Sequence, residues 1–429
     1  MIESRATPAN KTYLGRVYTP LANGGWTDLV DGAVAIGDDG SINAIGPSEA
    51  ILSSFPHNAV LDYRHHLMIP GLVDCHQHLC HYDWVRLVPN LLKWLEQIYE
   101  MEARFADPAY AIDVARRFFT DLINNGTTTA CVHGPYFADA TDAAFQVASD
   151  LGIRLLMGMN AANQNVPALL RTSVQRAIRE TTDLFDKWNG ANSGLLSYCF
   201  TVRPAYCASK SLLTTTARLA NTSGASVQCH LSEDKEGQRA ILRTFPPCRS
   251  DTEVYQELGL LGDRTIMAHG IYLTRFDLGV LHDSRTALIH CPRANLLAGG
   301  KQFQLKRARR SGIKVGLGTD LGGGKGLSMF KTMEDSMKVT NNLSVHEAMR
   351  LATTEGAHAL GLGDQIGTLE VGKDADFLVV SPKVSGGLDS RSMSIDDLLS
   401  SLIFCGDSRD VKVVSVKGRI VLAKSFLTA

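Results

Sequence analysis

The stretch MIPGLVDCHQHLCHYDW, residues 68–84, decides the reading of the fold. It opens as a short apolar run and closes in a cluster of metal-binding side chains: Cys75, His76, His78, Cys80 and His81 fall within seven positions. Side chains alternate along a strand, so His76 and His78 share one face while Gln77 points to the other. A nearly continuous apolar run that stops at polar residues is the pattern of a parallel strand buried on both faces. The pattern recurs in TTTACVH (127–133), GIRLLMGM (152–159), LLSYCFT (195–201), ASVQCHL (225–231), RTIMAHG (264–270), TALIHC (286–291) and IKVGLGTD (313–320). Longer amphipathic segments such as 111–124 and 168–188 lie between them. Eight such units over residues 67–366 match an α/β chain folded as a TIM-like (β/α)8 barrel, typically about 250 residues before insertions.

The two ends have a different texture. KTYLGRVYTP (11–20), GAVAIGDDGSINAIG (32–46) and NAVLDYR (58–64) are β-rich and broken by turn residues, and the same holds for IGTLEVGKDADFLVVSP (366–382) and DVKVVSVKGRIVLAK (410–424). Residues 1–66 with 367–429 are therefore expected to form one small β-sandwich domain beside the barrel.

Composition narrows the function. The 429 residues are 45% hydrophobic and 20% charged with a formal net charge of -1, so a nucleic-acid footprint is not expected. KRARRSG (306–312), the densest basic run, reads as the solvated end of a helix. No apolar run approaches a membrane span, and the N-terminus lacks a basic-then-apolar signal pattern. The nine cysteines show neither a CxxC pair nor a disulfide framework, which points to a reduced, cytoplasmic protein.

Catalytic groups of such barrels sit at the C-terminal ends of the strands. Those ends carry His76 and His78, then Thr201 and Arg203, His230 with Glu233 three residues on, His269, His290 with Cys291, and Asp320. Three imidazoles (His76, His78, His230) with the Asp320 carboxylate and a water make an open metal site. Zinc suits this mixed donor set best, with iron or cobalt as alternatives. A metal of this kind lowers the pKa of its water and so creates hydroxide. Asp320 is placed to take the proton, and His269 to hydrogen-bond the hydroxide or polarise the group under attack. Glu233 is placed to deliver a proton to a ring nitrogen or to the leaving group. The fourth strand carries no lysine to bridge two metals, so one metal per chain is expected. His133 and His290 read as hydrogen-bonded core histidines. Cys75 and Cys80 read as bystanders, and Trp84 and Trp94 as core or dimer-contact residues. TDLGGGKG (319–326) fails the spacing of a phosphate loop, so its glycines are read as letting backbone pass close to a substrate.

The motifs PGLVDCHQH (70–78), CHLSE (229–233), MAHG (267–270), HCP (290–292) and GLGTD (316–320), in that order, resemble the amidohydrolase superfamily. Within it LLKWLEQIYEMEARF (91–105), NGTTTAC (125–131), MAHGIYL (267–273), HCPRANL (290–296), GLGTDLGGGKGLSMF (316–330) and RLATTEGAHALGL (350–362) are similar to the guanine deaminases. The resemblance implies one Zn2+ at His76, His78, His230 and Asp320, Glu233 as proton shuttle, His269 beside the hydroxide and Arg203 clamping a purine carbonyl. It implies attack on the amino-bearing ring carbon and loss of ammonia, in a cytoplasmic homodimer whose only partner is a small N-heterocycle. The Pro-Cys-x-x-Cys signature of the cytidine-deaminase type is absent. Departures from the pattern cluster at the substrate: His81 stands where a Gln contacts the purine edge, Pro204 where a Phe follows the clamp, and Arg293-Ala294-Asn295 where Asn-Ser-Asn is usual. Guanine is thus the first substrate to try. A pterin, an oxidised guanine, a cyclic amide or a halogenated heterocycle are alternatives, and a non-catalytic scaffold is the rival from another class.

Overall fold

Four strands precede the histidine cluster: β1 (Lys11–Pro20), β2 (Trp26–Ile36), β3 (Ile42–Pro47) and β4 (Ala59–Pro70). The apolar runs then form β5 (Leu72–His78), β6 (Thr127–His133), β7 (Arg154–Gly158), a two-residue β8 (Asn160–Ala161), β9 (Leu196–Val202), β10 (Ser226–Leu231), β11 (Thr265–His269), β12 (Ala287–His290) and β13 (Val315–Leu317). β14 (Phe377–Val380), β15 (Val411–Val416) and β16 (Arg419–Ala423) follow. The structure is a computed structural model that describes residues 10–84, 91–297, 301–324, 326–383 and 390–424, the side chains of 91–96 and 390 excepted. The Trp94 side chain and Lys325 of the glycine-rich loop therefore lie outside the described residues.

β5-β6-β7-β9-β10-β11-β12-β13 run side by side, all parallel, with β8 paired to β9. The sheet curls until its last strand returns to its first: the Asp320 N–H donates to the His76 carbonyl at 3.1 Å, and the Thr319 N–H to the Asp74 carboxylate at 3.0 Å. This is the expected barrel. Helices wrap it as the apolar periodicity requires. Pro108–Asn124 starts on an Asp107 cap with proline at its first position, and buries Val114, Ala115, Phe118, Phe119 and Leu122 on one face. Each buried phenylalanine contributes roughly 1.5–3 kcal/mol. No described helix is long and apolar enough to cross a membrane.

The chain ends meet in one hydrogen-bonded sheet of order β16-β15-β14-β4-β1-β2-β3, antiparallel except between β1 and β4. Its apolar face gathers Tyr13, Val34, Met68, Phe377 and Val413. Two details differ from the boundaries read in the sequence. The run 68–76, taken as one strand, belongs to two: residues 67–70 pair with β14 in the end sheet, and the barrel begins at Leu72. Gly71 makes the step, since a Cβ there would lie 2.2 Å from Thr128 Oγ1. In the other direction, the helix Ile395–Cys405 sends Leu398, Leu399, Leu402 and Ile403 into the barrel's core. An apolar run reports burial, not which sheet does the burying.

A buried ion pair joins the two units. Arg154, at the start of β7, donates to Asp376 through Nε and Nη2 at 3.2 Å and to Asp374 through Nη2 at 2.8 Å. Arg154→Met leaves the Asp376 carboxylate buried without its cation. The loss is expected to be about 3–5 kcal/mol of stability, read as a lower urea midpoint, and an unchanged midpoint would show the pair to be idle.

Candidate active site

The C-terminal ends of β5, β10, β11 and β13 converge on one point. His78 Nε2 and His230 Nε2 are 3.1 Å apart. Asp320 Oδ1 lies 3.5 Å from His76 Nε2 and 3.6 Å from His78 Nε2. Donor atoms of His76, His78 and His230, and separately of His76, His269 and Asp320, all lie within 4.8 Å of one another. His76 Nε2 is buried with no hydrogen-bond partner among the described residues. Burial and the neighbouring imidazoles hold the His76, His78 and His230 rings well below their usual pKa, which keeps their lone pairs available. A convergent nitrogen set whose neutral form burial favours, closed by a carboxylate, fits a divalent metal ion. Cys75 and Cys80 are buried outside these groups, with thiol pKa values pushed up by burial. His290 also stays outside, stacked on Phe303 at 4.9 Å.

Backbone strain marks the rim. Ser232, His269 and Asp320 have φ of 48°, 75° and 49°, in the left-handed region that non-glycine residues rarely enter. Each is pinned. Asp251 accepts from both the Ser232 N–H (2.6 Å) and its hydroxyl (2.7 Å), which fixes the turn carrying Glu233 inward. Asp74, whose carboxyl is pushed up to about 7 by burial, accepts from Gln77 Nε2 and from Thr319. Gln77 Oε1 accepts from the Leu321 N–H at 3.2 Å. The off-face residue of His76-Gln77-His78 thus locks the loop that presents Asp320.

Further titratable groups cluster beside these donors. His269 Nε2 lies 3.8 Å from Glu233 Oε2 and 3.9 Å from Asp320 Oδ2, so one imidazole spans two carboxylates. Its Nδ1 meets Asn295 Oδ1 at 3.2 Å. Enclosure and the nearby Asp320 hold the Glu233 carboxyl well above its usual range. A carboxyl whose protonated form is favoured in this way suits an acid/base role.

The substrate side contains a residue that the sequence reading missed. Arg203 Nη2 donates to Glu102 Oε1, and its Nε donates to Tyr136 Oη at 2.7 Å. Glu102 is fully buried, and its Oε2 has no partner among the described residues. His81 is equally buried. Its Nε2 donates to Glu102 Oε1 at 3.2 Å, and its ring stacks on His78 at 4.3 Å. His81 therefore supports Glu102. A Cβ on Gly322 (φ +103) would meet His81 at 2.7 Å, so the glycine-rich loop passes directly over this ring. Pro204 is buried after Arg203 and opens the short turn Ala205–Cys207. Arg293 Nε donates to Asp335 at 2.7 Å. His133, read as a hydrogen-bonded core residue, is buried with Nδ1 bonded to Asn160, and its ring also lies against the convergent imidazoles, 4.6 Å from His78 and 4.7 Å from His230. Its place at a strand end was the one signal for it.

The comparisons agree with this architecture. Residues 67–421 match the model of the amidohydrolase family. A probable guanine deaminase of Deinococcus radiodurans is 33% identical over 414 residues, covering 92% of this chain and 93% of its own. The solved guanine deaminase of E. coli superposes with a TM-score of 0.91 at 30% identity, over 97% of this chain and 100% of that one. The guanine deaminase of C. acetobutylicum, solved with guanine bound in its active site, has a TM-score of 0.88 at 25% identity over 96% and 100%. The barrel, the strand-end ligands and the match over most of the chain lead to one assignment: the chain belongs to the amidohydrolase family.

Proposed function

We propose that the chain hydrolyses the amino group from an N-heterocycle at a single zinc ion, converting guanine and water to xanthine and ammonia. The observation that carries this reading is the His269 ring spanning Glu233 and Asp320 beside three convergent imidazoles. His76, His78, His230 and Asp320 would hold the ion. When bound, such an ion acidifies a water molecule and so supplies the nucleophile. Asp320 takes the proton released as the water oxygen bonds to the amino-bearing ring carbon. Glu233 gives its proton to the adjacent ring nitrogen, Asp320 passes the water's proton on to the leaving amine, and Glu233 recovers a proton from the new hydroxyl as the C–N bond breaks and the ring carbonyl forms. His269 holds the incoming oxygen in line. Arg203, steadied by Glu102 and Tyr136, faces the carbonyl side of the ring with a fixed positive charge. Likeness to guanine deaminases over nearly the whole chain supports guanine as the ring.

The deciding assay is ammonia and xanthine release from guanine by zinc-loaded protein, with Glu233→Ala as control. Rapid turnover lost in the control is the expected result, and a rate equal to the control removes guanine. One observation favours a second reading within the same chemistry. His81 is committed to Glu102 and offers a purine edge no amide that both donates and accepts. A pterin, an oxidised guanine or a cyclic amide turned over faster than guanine in a substrate panel would establish that reading.

A further inference from the structure

His133 closes β6 beside the metal ligands and has no part in the steps above. Its side chain is 1% exposed. Its ring centroid lies 4.6 Å from that of His78, 4.7 Å from His230 and 5.1 Å from His76. One ring nitrogen is engaged: Nδ1 lies 3.3 Å from Asn160 Oδ1. The Asn160 amide has only one workable orientation, because its Nδ2 donates to the Gly134 carbonyl at 2.8 Å. Turning it over would set oxygen against oxygen. Asn160 Oδ1 can only accept, so the proton of the neutral His133 ring sits on Nδ1. Nε2 is then a bare acceptor. It is buried and has no donor among the described residues. It is also absent from both convergent groups of metal-ligating atoms. An acceptor enclosed without a donor costs about 1–3 kcal/mol, and a ligand that brings the donor removes that cost.

We propose that His133 is a specificity-determining residue whose Nε2 accepts a hydrogen bond from an N–H of the ring substrate. This rests on the reading that the site takes an N-heterocycle, and it adds a requirement to it. The ring must show a protonated nitrogen toward β6, while its carbonyl meets Arg203. A ring bearing a lone pair or an N-methyl group at that point is discriminated against, because two acceptors, or an acceptor and a methyl group, then face each other.

Two variants test this. His133→Phe keeps a ring in the space and removes the acceptor, whereas His133→Gln returns an acceptor oxygen. Both are assayed with guanine and its N1-, N7- and N9-methyl derivatives, alongside metal content by mass spectrometry. The expected result is native metal content in both variants. KM for guanine rises roughly tenfold to a hundredfold in His133→Phe, in line with one lost hydrogen bond, and largely recovers in His133→Gln. One methyl derivative is poor for the native enzyme, and His133→Phe no longer distinguishes it from guanine. Loss of metal in His133→Phe overturns the proposal by making His133 a ligand. An equal loss with all four purines, not rescued by Gln, overturns it by making the residue structural. If native protein leaves guanine untouched, the functional reading falls, yet the inference is still decided by calorimetry. Whichever of guanine, a pterin and a cyclic amide binds best must bind more weakly to His133→Phe and recover in His133→Gln. Equal affinity across the three proteins, including no binding to any, overturns it.

Discussion

Asp320→Asn yields a folded protein whose turnover is reduced at least a thousandfold. The substitution keeps size and shape. Asparagine adopts the left-handed backbone at least as readily as aspartate, so the φ of 49° at this position is no obstacle. The bond from the residue-320 N–H to the His76 carbonyl survives as well. Only the charge goes, and it serves two purposes. Asp320 Oδ1 closes the proposed ligand set at 3.5 Å from His76 Nε2 and 3.6 Å from His78 Nε2, and a neutral amide oxygen is a weaker ligand for a divalent ion. Oδ2, 3.9 Å from His269, is the group proposed to take the water's proton, and an amide has no basicity for that. General base catalysis alone is worth about 10²–10⁴-fold. Metal analysis separates the two effects. The variant is expected to bind zinc more weakly and to stay inactive when zinc is restored in excess. Native-like turnover by metal-loaded Asp320→Asn would take both roles away from this residue.

How much of this was legible in the sequence depends on the range of the signal. The barrel was legible because each strand is a local apolar run with a polar stop, and because period-two alternation puts His76 and His78 on one face whatever else happens. Glu102 was not. It lies in an amphipathic helix, Leu91–Ala103, where an acidic residue reads as solvated surface, and its partner Arg203 is 101 positions away. No local pattern announces a contact of that span. Gln77 was read as pointing away from the metal face, which is right, but its reach to the Leu321 N–H follows only from the closure of β13 onto β5. The left-handed turns at Ser232 and Asp320 escaped for the opposite reason. They break the local rule, and the side-chain bonds that hold them come from Asp251 and Asp74 on other elements. His133 was read as a hydrogen-bonded core histidine, and its burial and its bond to Asn160 agree with that; its closeness to the three imidazoles follows only from how the strands are arranged around the barrel.

Glu102 and Arg203 should be coupled in stability and inseparable in function. Arg203 is 1% exposed and Glu102 fully buried, so each ion depends on the other for its charge balance. Removing either alone, as in Glu102→Ala or Arg203→Ala, strands a buried charge and is expected to lower stability by roughly 3–5 kcal/mol. Replacing both with methionine removes both desolvation penalties at similar volume, and the double variant is expected to return close to native stability. Tyr136 Oη and His81 Nε2 each lose a partner in that variant, which costs on the order of 1 kcal/mol apiece and sets the shortfall. Activity should not follow stability back. Arg203 is the fixed positive charge proposed to meet the ring carbonyl, so kcat/KM is expected to stay low in both single variants and in the double one. Chemical denaturation of the four proteins, with kinetics measured on the same preparations, tests both statements. Additive destabilisation in the double variant would show that the pair does not act as a unit. Recovered activity would show that the pocket needs only shape there. The expected split, stability regained and catalysis not, means that a hydrophobic pair would serve the fold equally well. The ion pair is then held in place by the reaction, with Glu102 keeping a guanidinium buried, oriented and charged where the substrate arrives.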